Sequence, residues 1–124
     1  MVKKRIVCVD DEKPILEMLS GVLGRNYDVQ VVACPQQALR EFKPEETDLL
    51  ITDFQLRSSL TGHDLIRKVQ DKIGYKGPVL LLSSAPPHLN YMRQGLAVPL
   101  EYDYPFVQKG SFKVLKKAIE NLLL

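Results

Sequence analysis

Short apolar runs and amphipathic segments alternate along this 124-residue chain. Arg5–Val9, Leu49–Asp53 and Val79–Leu82 are almost continuously apolar, which is the signature of strands buried on both faces of a parallel sheet. A further strand is predicted over Asp28–Val32 and a last one over Tyr102–Val107. Pro105 removes a ladder donor from that last strand, which assigns it to a sheet edge.

The segments between these runs have helical spacing. Helix one follows Asp10-Asp11, with Asp11 or Glu12 near its cap and Pro14 in its first turn, where a missing N–H costs nothing. Its stripe, Ile15, Met18/Leu19 and Val22/Leu23, predicts one buried face, and Gly24 is the predicted stop. Helix two starts near Pro35, carries Ala38, Leu39 and Phe42, and ends at Pro44. Helix three follows Gly62, presents Leu65, Ile66 and Val69, and closes at Gly74. Ser111 caps a final helix with Phe112, Leu115, Ile119 and Leu122 on one face. Between strands four and five, Ala85-Pro86-Pro87-His88 excludes ordinary helix interior, and only Leu89, Met92 and Leu96 suggest a helix there.

Five βα units joined by right-handed crossovers predict an α/β fold, a doubly wound five-stranded parallel sheet in one domain, residues 1–124. The edge position of the last strand agrees with strand order 2-1-3-4-5, one of two common solutions.

Composition narrows the function classes. Apolar content of 45% and charged content of 26% are those of an ordinary globular domain. A net charge of +2 gives no strong electrostatic case for nucleic-acid binding by this domain or for a membrane surface. No apolar stretch reaches the length of a membrane span, and no signal-peptide core precedes Asp10. Cys8 and Cys34 read as buried or half-buried small hydrophobes, not as a disulfide framework, so a reducing, cytoplasmic setting is expected. His63 and His88 read as surface residues.

The candidate chemistry lies where the strands end. Strand one runs into Asp10-Asp11 and strand three into Asp53, at the sheet end where open parallel sheets place their functional crevice. Three carboxylates there repel one another, raise their own pKa values and call for a cation. An oxygen-only set suits Mg²⁺, which keeps several waters and usually works with phosphate. Ser83 and Ser84 follow strand four, and Lys109 follows strand five. A hydroxyl and an ammonium at the same sheet end are what a phosphoryl group needs, because its spread charge is stabilised by donors and cations.

With these residues in place, the chain resembles the receiver domain of two-component response regulators, similar to the single-domain receivers of chemotaxis and sporulation. The resemblance rests on Val9-Asp10-Asp11-Glu12, Leu50-Ile51-Thr52-Asp53, Thr61-Gly62, Pro78-Val79-Leu80-Leu81-Leu82-Ser83 and Lys109, in order over essentially the whole chain. It implies a flavodoxin-like (βα)5 three-layer sandwich and a role in phosphorelay signalling. Asp53 would accept a phosphoryl group from a sensor histidine kinase or a histidine phosphotransfer protein. Asp11 would bind Mg²⁺ directly, Asp10 partly through water, and the backbone carbonyl of Gln55 would complete the protein ligands. Ser83 would hydrogen-bond the phosphoryl oxygens and Lys109 would pair with them. Phe106 occupies the aromatic switch position, three residues before the lysine, and reads equally well as a core residue of strand five. Such a protein would not be an enzyme in the ordinary sense, since it catalyses only its own phosphorylation and dephosphorylation.

The resemblance also has departures. Lys109 is followed by Gly110 where the family usually has proline, and Leu56-Arg57-Ser58-Ser59-Leu60 replaces the usual Met-Pro pair. The segment from Ser83 to Lys109 is longer than the family pattern and contains Pro86, Pro87 and Pro99. Gln55 could hydrogen-bond an attacking water and so influence dephosphorylation. Two other readings compete: a receiver-fold binding module that signals without phosphate, and a Mg²⁺ phosphohydrolase. The aspartate-nucleophile type of phosphohydrolase typically shows Asp-x-Asp after strand one, where this chain has Val9-Asp10-Asp11. The output partner and the kinase are not named by the sequence. Its end at Leu122-Leu123-Leu124 fits either a stand-alone receiver or a domain of a longer protein.

Overall fold

A computed structural model describes residues 3–56, 58–84 and 104–124. Five parallel strands, β1 (Arg5–Val9), β2 (Asp28–Val32), β3 (Leu49–Thr52), β4 (Val79–Ser83) and β5 (Phe106–Gln108), form one sheet in the order β2-β1-β3-β4-β5. This is the expected flavodoxin-like order, with the proline-flanked strand at an edge. Pro105 lies just outside β5, where its carbonyl accepts from the Leu81 N–H at 2.9 Å and its missing donor costs nothing.

Successive strand residues point to opposite faces and feed two cores. Val7, Val9, Leu50 and Leu81 pack with Phe54 against helices α2 (Pro35–Glu41) and α3 (Gly62–Lys68). Ile6, Cys8, Leu49, Ile51, Leu80 and Leu82 pack against α1 (Lys13–Leu23) and the C-terminal helix α4 (Phe112–Leu122). Each helix is apolar on one side only, so the layered sandwich is the arrangement that buries both sheet faces.

Several element details differ from the sequence expectation. The buried line of α1 is Leu16, Leu19 and Leu23, with Ile15 and Met18 at its margin and Val22 exposed. The helix is therefore rotated toward the sheet relative to the predicted stripe. Gly24 follows α1 in a right-handed conformation, so the helix ends without a left-handed glycine. Helix α2 stops at Glu41, and Phe42 takes an extended conformation before Pro44. Helix α3 begins with Thr61 in a capping box with Asp64, two reciprocal hydrogen bonds of 3.0 and 3.1 Å. It continues into a wider π turn, Val69–Ile73, before Gly74 closes it at φ 85° as expected. Ser111 caps α4 as predicted, accepting from the Val114 N–H at 3.3 Å. The helix suggested by Leu89, Met92 and Leu96 lies outside the described residues, as do His88, Pro99 and the start of the predicted fifth strand.

Cys34 corrects another expectation: it is exposed at the start of α2, whereas Cys8 is fully buried in β1. Burial, and the Asp10 charge beside it, push the Cys8 thiol up to about 12. An alkylating reagent at neutral pH is expected to modify Cys34 alone in the native protein and Cys8 only after unfolding. Equal native-state labelling of both thiols, read by peptide mass mapping, would contradict this packing.

Candidate functional site at the carboxyl ends of β1 and β3

The register of the sheet brings the acids together. Val9 of β1 lies opposite Thr52 of β3, so Asp10 and Asp53 are the next residues on adjacent strands. The Asp53 N–H donates to the Val9 carbonyl at 3.0 Å and the Asp10 N–H to the Val32 carbonyl at 3.1 Å. Carboxylate oxygens of Asp10, Asp11 and Asp53 all lie within 4.8 Å of one another. Asp10 is 2% exposed and Asp53 is 6% exposed. Asp10 Oδ1 accepts from the Glu12 N–H at 2.9 Å and so ties down the start of α1, where the Glu12 side chain makes no capping bond.

Lys109 supplies the cation that the cluster calls for. It follows β5, its N–H donates to the Ser83 carbonyl at 2.8 Å, and its side chain is only 11% exposed. Its Nζ lies 3.0 Å from Asp53 Oδ2, 2.9 Å from Asp10 Oδ2 and 3.6 Å from Glu12 Oε2. Sequence reading placed Lys109 at this sheet end but missed Glu12 as its third acidic neighbour. The residue sits one past Asp11 on the same turn, which is the signal that could have found it.

One ammonium does not neutralise the cluster. Burial raises the Asp53 carboxyl to about 6, against the hydrogen bond and charge of Lys109, and the Asp10 charge adds to the rise. Burial also raises Asp10, outweighing its bond from the Glu12 N–H and its contact with Lys109. For Lys109 burial works against the charge, but Asp10 and Asp53 together outweigh it and raise its pKa. Asp10 Oδ2 is buried and, among the described residues, has the Lys109 ammonium beside it at 2.9 Å but no well-formed hydrogen bond. A buried acceptor in that state, within an all-oxygen donor set, fits a small hard cation.

A cavity of about 170 Å³ opens over the cluster, lined by Asp11, Glu12, Asp53, Gln55, Leu56 and Ser84. Of the two predicted serines, Ser84 is the one on this wall. Ser83 is the last residue of β4, buried beneath it. Phe106 is half-buried against the core on the α2–α3 side, beside Leu81. His63, expected at the surface, is 8% exposed, with its ring centroid 5.6 Å from that of Tyr104. As the second residue of α3, it is carried inward by the close seating of Gly62.

The fold that carries this site is shared with known proteins. A family model of the response regulator receiver domain matches residues 6–120. The chain belongs to this family. Among curated relatives, the alkaline phosphatase synthesis transcriptional regulatory protein PhoP of Bacillus subtilis is 32% identical over 83 residues, covering 65% of this chain and 33% of that protein. The chain thus spans about a third of that relative's length. Among solved structures, the chemotaxis protein CheY4 of Vibrio cholerae shares the fold, with TM-score 0.79, 22% identity and coverage of 98% and 100% of the two chains. Response regulator TrrA of Thermotoga maritima, solved in complex with Mg²⁺-BeF, matches with TM-score 0.75 and 25% identity over 97% of this chain and 99% of that one. This receiver domain has, among its described residues, no helix long and apolar enough to cross a membrane.

Proposed function

We propose that this receiver domain accepts a phosphoryl group on Asp53 from the phosphohistidine of a sensor histidine kinase or a histidine phosphotransfer protein in the cytoplasm. The observation that carries the reading is Asp53 itself, at the end of a central strand, among two further acids and 3.0 Å from a buried ammonium. Asp10, Asp11 and Asp53, with the backbone carbonyl of Gln55, would hold Mg²⁺. Bound there, the ion would supply the positive charge that lets an anionic donor approach an acidic pocket.

The residues of the chain divide the remaining work. An Asp53 carboxylate oxygen forms the bond to phosphorus as the phosphorus–nitrogen bond of the donor breaks, its electron pair returning to the imidazole. Lys109, already against Asp53, pairs with the phosphoryl oxygens as charge of about −1.5 to −2 accumulates there. Ser84 borders the cavity, and the Ser83 hydroxyl meets the phosphoryl group if the end of β4 shifts toward it. Phe106 can follow into the space that this shift leaves, a packing readout of a local charge change. Through it the domain would regulate a partner or an attached output domain. Its only chemistry would be its own phosphorylation and dephosphorylation.

The test is incubation with a small phosphodonor, with and without Mg²⁺, followed by mass mapping. One phosphoryl group on the peptide containing Asp53, dependent on the divalent ion, is expected. Absence of label, or label elsewhere, overturns the reading. Multiple turnover on a free phosphate ester would point to a phosphohydrolase instead.

A further inference from the structure

The loop from Asp53 to Thr61 carries Gln55 and Leu56, which wall the acid cavity opposite Asp11 and Glu12. Its ends are fixed by the sheet on one side and by the Gly62 N–H, which donates to the Phe54 carbonyl at 2.7 Å, on the other. Between them the chain contains no proline to stiffen it.

What holds the middle of the loop comes from α2, an element that contributes nothing to the acid cluster. Gln36 Nε2 donates to Ser58 Oγ at 2.9 Å, and the same Oγ accepts from the Leu60 N–H at 3.3 Å. The Ser58 N–H donates to the Leu56 carbonyl at 2.6 Å, so the wall residue is tied directly to the clamped one. The Cys34 thiol donates to Gln36 Oε1 at 2.9 Å, which holds the amide against Ser58. The Ser58 hydroxyl also donates to that oxygen at 3.3 Å. A hydrogen-bonded line thus runs from the end of β2, through Gln36, to the loop that walls the site.

We propose that Gln36 and Ser58 are positioning residues that set the lifetime of the phosphoryl group on Asp53, by holding the Gln55–Leu56 wall against the cavity. In the hydrolysis they restrain, a water oxygen bonds to phosphorus and the bond from phosphorus to the Asp53 oxygen breaks. The electron pair returns to the carboxylate, one water proton leaves to solvent and the other remains on the released phosphate. With the clamp cut, the wall moves away more often and water enters more often. The inference rests on the phosphoacceptor reading of Asp53.

The experiment labels wild type, Gln36→Ala, Ser58→Ala, the double variant and Ser58→Thr with a small phosphodonor and Mg²⁺, removes the donor and follows loss of label. Each alanine variant is expected to lose label about two- to tenfold faster, the range that one hydrogen bond of ordinary strength allows. The double variant should be no faster than the faster single one, because both cut the same link. Ser58→Thr, which keeps the hydroxyl, should match wild type. The Leu60 amide should exchange hydrogen faster in both alanine variants. Unchanged lifetimes, effects that multiply in the double variant, or a Ser58→Thr protein as fast as Ser58→Ala would each overturn the clamp. A wild type that takes up no label would instead overturn the phosphoacceptor reading, and this inference with it.

Discussion

Asp53→Asn is expected to lose phosphoryl labelling completely and, without divalent cation, to be more stable than wild type. The first effect follows from the chemistry, since an amide does not supply the oxygen nucleophile. The second follows from electrostatics. Asp53 is held at about 6 in the folded protein against an ordinary value of 3.8. A carboxyl raised in this way contributes its stability in full below 3.8 and loses it as pH rises through about 6. At neutral pH the ionised, buried group is therefore a net cost, of about 1–3 kcal/mol from a shift of this size. Asparagine removes that cost, and its carbonyl oxygen can still accept from Lys109.

Urea unfolding of both proteins across pH 4 to 8 in chelator should show a pH-dependent loss of stability in wild type that is shallower in the variant. It will not vanish, because Asp10 is raised in the same direction. Mg²⁺ should stabilise wild type by mass action and the variant less. A variant less stable than wild type at neutral pH without metal would mean that Asp53 is a structural anchor for Lys109, not a strained acceptor.

Gly62→Ala is the second large effect, and its cause is contact, not conformation. A Cβ at this position would overlap the Asp53 carbonyl oxygen and stand 3.0 Å from Phe54 Cα. Both neighbours are backbone, and Phe54 is fully buried, so neither can swing aside as a side chain would. The start of α3 must back away from the sheet, at a cost of about 1–3 kcal/mol. The Asp53 peptide is displaced as well, so labelling should slow together with the loss of stability. Gly21→Ala is the control: it adds a Cβ with nothing within 4 Å, at a helical position where alanine gains about 0.5–1 kcal/mol over glycine. A Gly62→Ala protein with the unfolding midpoint of wild type would show that α3 is seated less tightly than described.

Much of this was legible in the chain. Continuous apolar runs give buried parallel strands because both faces of each strand are covered, and that requirement acts on every residue in turn. The acids at the ends of β1 and β3 were readable for the same reason, because topology alone places strand ends on one side of a parallel sheet. Pro105 pointed to the edge strand, although it lies just before β5 and does not itself interrupt the ladder. The Thr61–Asp64 capping box was also present in the sequence as a three-residue spacing, and went unread beside the more conspicuous Gly62.

Other features depend on how elements turn and seat against one another. The rotation of α1 that buries Leu16 and exposes Val22 follows from the shape of the sheet face beneath it. His63 is drawn inward because Gly62 lets α3 approach the Asp53 backbone, a contact between chain segments that no spacing reports. The ladder from Lys109 to Asp10, Asp53 and Glu12, and the clamp from Gln36 to Ser58, join residues far apart in sequence through side-chain reach. The sequence by itself determined the fold, the sheet end that carries the chemistry and the residue types gathered there. Only the tertiary structure decided which groups touch, because periodicity specifies a face of an element while contact requires its rotation, seating and loop path.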